Sequence, residues 1–202
     1  TEGSVFSASD CAWFKLFKGM WQAYSEHARE CSSGVRYYAE KSPHDVVRDI
    51  SPQMYTKNIF LVRDPRDELV SIREFNKKRG YNGFGWQPQE QEIAYAKRLC
   101  DMRRGFFQTC ADFVPSDRRL LLTYEKIIEN EESQVTRLEE FLDTKLDRTK
   151  IHQAMPGSVR HATAKSPERS VRRWKNELNA DVCDLIWNEL GDSMEKLGYR
   201  KT

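Results

Sequence analysis

The sequence predicts an α/β fold in which helices flank a parallel β-sheet. Two segments, 57–65 and 118–127, carry continuous apolar runs of the kind found in strands that are covered on both faces. Each of these segments leads directly into a stretch with helical periodicity. A chain that alternates apolar strands with helices in this way is typical of a parallel sheet between helical layers.

The first strand–helix pair has the clearest boundaries. "KNIFLVRDP" (57–65) contains four consecutive apolar residues, and a helix is predicted directly after it over 65–80. Asp64 can cap that helix and Pro65 suits its first position. Gly80 can end it in a left-handed conformation. We therefore expect a strand that passes abruptly into a helix at Arg63.

The remaining elements follow from periodicity and turn signals. A short strand is predicted over 34–43, where it ends next to Lys41 and a Ser-Pro pair. Helices are predicted over 10–30, with an aromatic packing face, and over 88–113, 129–143 and 180–197. No repeat or linker interrupts the chain, so residues 1–202 are expected to form a single domain.

Composition excludes several classes of protein. The 33 basic and 31 acidic residues give a net charge of +2, which argues against a protein that binds the nucleic-acid backbone. Five widely spaced cysteines contain no Cys-x-x-Cys pair, so neither a zinc site nor a disulfide framework is expected. No apolar run is long enough for a transmembrane helix. A reducing compartment, most simply the cytoplasm, fits these observations.

Three predicted strands end in residues that suit an anion. Lys41, Arg63 and Tyr124 each follow a strand, and the carboxyl ends of parallel strands meet at one edge of a sheet. The helix that begins at Pro65 would present its N-terminus there, and the basic segment 160–175 could fold over the same edge. This combination predicts an anion-binding site.

Each of these residues also has an ordinary structural explanation. Arg63 could pair with a neighbouring carboxylate, Lys41 could be solvated, and Tyr124 could belong to the core. The segment 160–175 could be a surface loop. The sequence alone leaves these alternatives open.

Four segments, in order, resemble the sulfotransferases that depend on PAPS (3′-phosphoadenosine 5′-phosphosulfate). "LVRDPRDELVS" (61–71) resembles the family's 3′-phosphate motif, an arginine followed eight residues later by a serine. "YYAEKSP" (37–43) is similar to the Glu-Lys-Ser/Thr-Pro element of the bacterial and glycan-modifying branches. "LLLTYEKIIENEESQVTRLEEFLD" (120–143) and "RSVRRWKNEL" (169–178) resemble the Tyr-Glu segment and the C-terminal Arg-x-x-x-x-Trp element.

The resemblance implies a nucleotide-kinase-like fold and a set of site residues. Arg63 and Ser71 would hold the 3′-phosphate of PAPS or of its product PAP, and Tyr124 would bond near the adenine. Lys41 would lie near the transferring sulfuryl group. One or more of three arginines would reach the phosphates from the C-terminal element, namely Arg169, Arg172 and Arg173.

The acceptor and the general base are less well indicated. An attacking hydroxyl needs a base such as histidine or glutamate. His44, close to Lys41, is the first candidate and His27 the second, with Glu40 and Glu26 as further choices. The acceptor is expected to be a glycan, a lipid or a small metabolite, flanked by the aromatic loop 81–88. No metal is expected, and a Golgi-lumenal catalytic domain stays open beside the cytoplasmic interpretation.

One family element has no counterpart in the chain. The phosphosulfate loop, a Gly/Ser-Thr-Thr turn after the first strand, should precede residue 35, and no apolar strand with such a turn is found there. We therefore expect an N-terminally incomplete sulfotransferase domain. The alternatives are a non-catalytic nucleotide- or partner-binding domain that has lost this loop, and a small-molecule kinase of related fold.

Overall fold

The computed structural model describes the chain in two compact units, residues 1–56 and 57–202, which we treat separately. In the second unit the described residues are 57–87, 89–150 and 162–202. In the first unit they are residues 19, 20, 22–24, 26, 27, 30, 31, 37, 39 and 41. The expectation of a single domain over 1–202 stays a prediction.

In the first unit, the described residues between 19 and 31 are helical, in agreement with the helix predicted over 10–30. Tyr37, Ala39 and Lys41 lie in neither a helix nor a strand. The strand predicted over 34–43 is therefore wrong at the three of its residues that are described. A strand needs a hydrogen-bonded neighbour, which a short apolar pattern does not by itself provide.

The sheet of the second unit joins two parallel strands. β1 (Asn58–Val62) pairs in parallel with β2 (Arg119–Thr123), and the register places Val62 opposite Thr123. The predicted parallel pairing is thus confirmed. Burial alternates along β1: Phe60 and Val62 are buried, whereas Ile59 is 45% exposed and Leu61 is 50% exposed. The prediction that β1 is buried on both faces is therefore wrong for Ile59 and Leu61, whose side of the strand is half exposed.

Helix α1 (Pro65–Arg79) has the boundaries that its terminal residues predict. The Asp64 side chain caps it by accepting the backbone N–H of Arg66, and Pro65 occupies the first turn. Gly80 follows the helix with φ 77°, a left-handed conformation that glycine adopts without steric cost. Only two residues thus separate the end of β1 from this helix, which carries Ser71 in its second turn.

Among its described residues, this unit contains five further helices and a short 3₁₀ turn. α2 (Glu92–Ala111) and α6 (Ala180–Lys196) confirm two predicted long helices, and α4 (Glu131–Leu142) confirms a third. β2 runs directly into α3 (Tyr124–Glu129), as predicted. The C-terminal segment contains a 3₁₀ turn (Glu168–Ser170) and the short helix α5 (Trp174–Glu177).

The core of this unit lies mainly between α2 and α6, which pack along each other, with α1 and the covered face of β1 beside them. The α6 contribution recurs every fourth residue, which places it on one face of the helix. The buried apolar residues among those described are Phe60, Val62, Leu69, Val70, Trp86, Tyr95, Ala96, Leu99, Cys100, Phe107, Cys110, Leu122, Trp174, Val182, Ile186, Leu190 and Met194.

A buried arginine ties the start of α1 to the C-terminus. Arg66 is 1% exposed and forms an ion pair with Asp64 at 2.7 Å. Its guanidinium also donates to the backbone carbonyls of Arg200 at 2.7 Å and Lys201 at 2.9 Å. The same group lies 3.5 Å from the centre of the Trp174 ring. A buried charge with this many partners fixes the β1–α1 junction in place.

Candidate functional site

Two of the predicted site residues meet at the carboxyl edge of the sheet. Arg63 directly follows β1 and Tyr124 directly follows β2, and the parallel register makes them neighbours. The guanidinium of Arg63 lies 4.5 Å from the centre of the Tyr124 ring. The predicted convergence of these two residues is therefore confirmed, although their contact with a ligand stays a prediction.

Arg63 is not engaged by a carboxylate in the part of the chain that the structure describes. Its Nη2 donates to the backbone carbonyl of Ser170 at 2.8 Å. Its Nε is buried and has no hydrogen-bond partner. Because an unpaired buried donor loses its hydration without compensation, this N–H is a group that an acceptor atom would stabilise. The ion-pair explanation for Arg63 is thus not what the described residues show.

Ser71 and Arg173 approach the same side chain. The Ser71 Oγ lies 3.1 Å from the Thr163 Oγ1. The Arg173 Nη1 donates to the Thr163 carbonyl at 3.2 Å and to its hydroxyl at 3.3 Å. A serine hydroxyl and a guanidinium therefore converge on one oxygen, which is an arrangement suited to a phosphate group.

We call residues 162–174 the closing segment, because it runs across the strand ends. Ser170 accepts from Arg63 through its carbonyl, and its Oγ lies 2.8 Å from the Tyr124 hydroxyl. Thr163 meets Ser71 at the other end of the segment. The segment predicted to fold over the anion site thus contacts Arg63, Ser71 and Tyr124.

The three candidate arginines of this segment lie in different environments. Arg169 is exposed and makes no hydrogen bond or ion pair with the described residues. Arg172 is exposed and pairs with Glu129 at the end of α3. Arg173 is half-buried and reaches Thr163 while it pairs with Glu177 at 2.9 Å. Of the three, Arg173 is the one whose guanidinium shares a partner with Ser71.

The N-terminus of α1 is closed by carboxylates. Asp64 accepts the Arg66 backbone N–H at 2.9 Å, and Glu125 accepts the Asp64 backbone N–H at 2.9 Å. Burial raises the pKa of Glu125, which also accepts the Tyr199 hydroxyl. These two backbone N–H groups are therefore already satisfied by carboxylates. The expectation that this helix terminus contributes to an anion site stays a prediction.

Asp67 makes contacts that the sequence did not indicate. It lies in the first turn of α1, and its two carboxylate oxygens accept backbone N–H groups of the closing segment. Oδ2 accepts from Arg172 at 2.6 Å and Oδ1 accepts from Trp174 at 3.0 Å. Burial raises the pKa of Asp67 to about 6, against the lowering effect of these two hydrogen bonds.

Thr163 and Ser170 were also missed. Threonine and serine are common in polar segments, and the partners Ser71 and Arg63 lie more than ninety residues earlier in the chain. Ser170 sits inside "RSVRRWKNEL", so its proximity to the predicted arginines was the one available signal. Sequence patterns do not report contacts at such separations.

The three candidate catalytic residues belong to the first unit. Lys41 is exposed. His27 is helical and exposed, and its Nε2 lies 3.5 Å from the Cys31 Sγ. His44 lies outside the described residues. Their assignments, and those of Glu26 and Glu40, therefore stay predictions.

The aromatic loop after α1 is organised by a buried asparagine. The Asn76 Oδ1 accepts the backbone N–H groups of Gly83 and Phe84, and its Nδ2 donates to the Phe84 carbonyl. Gly85 has φ 69°, and a Cβ there would meet the Tyr95 hydroxyl at 3.0 Å. Tyr81 and Phe84 are left exposed, and beside this loop lies a cleft of about 290 Å³. Its lining is Arg73, Lys77, Asn82, Trp86, Glu90 and Glu92.

Two negative observations apply to the described residues. They contain no group of three or more histidine, cysteine, aspartate or glutamate side chains arranged to hold a metal ion. None of their helices is long and apolar enough to cross a membrane.

Comparison with known proteins identifies the family. The profile of the Sulfotransferase family matches residues 5–148, which is more than two thirds of the chain. Among solved structures, the chain is similar to the Sulfotransferase Domain from the Curacin Biosynthetic Pathway, with a TM-score of 0.59 and 17% identity. That similarity covers 89% of this chain and 68% of the other. No curated protein matches the sequence. The chain therefore belongs to the sulfotransferase family.

Proposed function

We propose that this protein binds PAPS at the carboxyl edge of the β1–β2 sheet and transfers its sulfuryl group to an acceptor hydroxyl or amine. The acceptor would be a glycan, a lipid or a small metabolite. The observation that carries the proposal is the buried Nε of Arg63, which has no hydrogen-bond partner among the described residues and lies beside Tyr124 at this edge. Family membership supports sulfuryl transfer, and this donor supports an anionic ligand.

The residues at the edge fit a nucleotide that carries a 3′-phosphate. A phosphate is best recognised by arginine, which presents two parallel N–H donors. Arg63 has one such donor unused, and its Nη2 is held only by a neutral carbonyl. Ser71 and Arg173 already share one oxygen partner in Thr163, and a phosphate could take that place. Tyr124, whose hydroxyl contacts Ser170, would hydrogen-bond near the adenine.

PAPS, when bound, supplies the sulfuryl group and a phosphate leaving group. The residues at this edge would hold the nucleotide and orient it, which is the main contribution a protein makes to such a transfer. They would also stabilise negative charge by guanidinium and hydroxyl donors. Lys41 near the sulfuryl group, and a base among His44, His27, Glu40 and Glu26, stay predictions that rest on the resemblance.

Calorimetric titration with PAP, compared with AMP, tests the nucleotide site. AMP lacks the 3′-phosphate, so the difference between the two affinities measures the contribution of that group. Removal of a charged hydrogen bond costs about 1.5–3 kcal/mol, so Arg63→Ala is expected to weaken PAP binding about 10- to 100-fold. AMP binding should change much less.

Arg104→Ala is the matched control, because Arg104 is an exposed arginine that pairs with Asp101 and Glu189 away from the strand ends. This variant should bind PAP as the parent does. An Arg63→Ala protein that keeps the parent's affinity for PAP would exclude the proposed clamp.

The catalytic part of the proposal needs a separate assay. Labelled PAPS should yield labelled acceptor from a panel of glycans, lipids and small alcohols or amines. A protein that binds PAP but labels no acceptor would instead be the non-catalytic nucleotide-binding domain considered above. Preference for ATP over PAPS would indicate the kinase alternative. The cytoplasmic location stays a prediction.

A further inference from the structure

One side of the β1–α1 junction contacts the closing segment at three points. Arg63 bonds to Ser170, and Ser71 bonds to Thr163. Between them in the sequence, Asp67 bonds to the backbone of Arg172 and Trp174. The three junction residues are spaced four apart, so Asp67 and Ser71 lie on the same face of α1.

The three contacts differ in their availability to a ligand. Arg63 and Ser71 are half-buried, and under the proposed function both would exchange their contacts with the closing segment for phosphate oxygens. Asp67 is 1% exposed, and a carboxylate repels a phosphate. Asp67 is therefore the one contact of the three that a bound nucleotide would leave in place.

The backbone of the closing segment is shaped to reach this carboxylate. Arg172 has φ 60°, a left-handed conformation that is uncommon for a residue with a side chain. The chain turns there, and the N–H groups of Arg172 and Trp174 both bond to the same carboxylate. Between them lies Arg173, whose side chain reaches Thr163.

The Trp174 ring reinforces this anchor. It is buried, and the Arg66 guanidinium lies 3.5 Å from its centre. Arg66 and Asp67 are neighbours in the first turn of α1, so the helix start holds Trp174 by its backbone and by its ring. The segment is thus attached directly beside Arg173.

We propose that Asp67 is a positioning residue that anchors the closing segment so that Arg173 stands at the 3′-phosphate site beside Ser71. This inference rests on the proposed function. It assigns Asp67 no contact with the nucleotide: the carboxylate acts through the backbone of Arg172 and Trp174. Asp67 would therefore contribute to affinity for the 3′-phosphate in particular, because that is the group Arg173 would reach.

Amide hydrogen exchange and nucleotide titration together test the inference on the full chain. The variants are Asp67→Ala, which removes both acceptors, and Asp67→Asn, which keeps the shape and one acceptor. Glu68→Gln is the control, because Glu68 is the adjacent acid of α1 and pairs instead with Arg103 on α2. Exchange is followed in peptides that span 171–175, and affinities are measured for PAP and for AMP.

In Asp67→Ala, the amides of Arg172 and Trp174 should exchange about tenfold faster or more, since each loses a charged acceptor. The ratio of PAP to AMP affinity should fall about tenfold. Asp67→Asn should show smaller changes in the same direction, and it serves in place of Asp67→Ala if that variant does not fold. Glu68→Gln should retain the parent's exchange rates in 171–175 and its affinity ratio.

The outcomes separate this inference from the proposed function. A parent protein that binds PAP no better than AMP overturns the proposed function and the phosphate part of the inference with it. A parent that prefers PAP, together with Asp67 variants that keep the same preference, overturns the inference alone. A fall in the affinity ratio of equal size in Glu68→Gln also overturns it, because a general weakening of α1 would then explain the loss.

Discussion

The β1–α1 junction (63–71) and the closing segment (162–174) form the two sides of the same candidate site, but different forces shape them. The junction is defined by local chemistry: the Asp64 cap and Pro65 start the helix with only two residues between it and the strand. The closing segment contains only short helical turns and is held by contacts about a hundred residues away in sequence. One side of the site is therefore preformed, and the other depends on its anchors.

The two sides also differ in how far their polar groups are hydrogen-bonded. At the junction, Asp64, Arg66 and Asp67 are buried and fully engaged. Arg63, which faces the closing segment, has a buried donor with no partner among the described residues. The engaged residues thus lie, within nine positions of sequence, between Arg63 and Ser71, the two residues proposed to bind the phosphate.

The largest effect is expected from Arg66→Ala, which would destabilise the β1–α1 junction. Removing this guanidinium leaves Asp64 buried without its partner and takes the cation away from the Trp174 ring. Loss of one member of a buried ion pair costs about 3–5 kcal/mol of unfolding free energy. Urea unfolding measures this quantity directly. The exposed pair of Arg104 with Glu189 provides the control, because Arg104→Ala should cost less than about 1 kcal/mol.

A second test uses pH to titrate Asp67, the residue that joins the β1–α1 junction to the closing segment. Burial raises the pKa of Asp67 to about 6 in the folded protein, from an ordinary value of 3.8. Between these values the folded state holds the proton more tightly, so the contribution of Asp67 to stability is full below about pH 4 and is lost as the pH rises through about 6. The negative charge of Asp64 also raises the pKa of Asp67, whereas the positive charge of Arg63 lowers it.

Because Glu125 also has a raised pKa, the comparison must be made with Asp67→Asn. The unfolding free energy of the parent minus that of Asp67→Asn should fall by about 1–3 kcal/mol between pH 4 and pH 7. Denaturant melts at the two pH values measure it. A difference that is constant with pH contradicts the titration of Asp67 in this range.

The smallest expected effect distinguishes the arginines of the closing segment. Arg173→Gln should weaken PAP binding about tenfold, because Arg173 shares Thr163 with Ser71. Arg172→Gln should change it less than about threefold, since Arg172 is exposed and pairs with Glu129. Titration with PAP measures both, and equal losses would mean that the unliganded contacts do not report which arginine reaches the phosphate.

The predictions from the sequence are correct where the interactions are local along the chain, and they fail where the interactions join distant residues. The helix predicted over 65–80 is observed as Pro65–Arg79 because its start and end depend on adjacent residues. The two strands and their order were predicted for a similar reason, since an apolar run bounded by turn signals is a local pattern. The burial of β1 was predicted wrongly for Ile59 and Leu61, because it depends on which elements pack against these two residues.

The same distinction applies to the candidate site, where some residues could be predicted from local patterns and others could not. Arg63 and Tyr124 could be placed together from the sequence, because parallel strands bring their carboxyl ends to one edge. Asp67 could be recognised only as an acidic residue in the first turn of a helix. Its bonds to Arg172 and Trp174 join residues 105 and 107 positions apart, and no pattern of spacing encodes such a contact.

The sequence by itself determined the α/β class, the strand–helix junction and the identity of the cation and the aromatic ring at the strand ends. These features follow from propensity, capping and the geometry of parallel strands, which act over a few residues. Only the tertiary structure decided that the buried Nε of Arg63 has no partner among the described residues, that Ser71 and Arg173 share Thr163, and that Asp67 bonds to the backbone of the closing segment. Those features depend on burial and on contacts between distant segments, which exist only once the chain has packed.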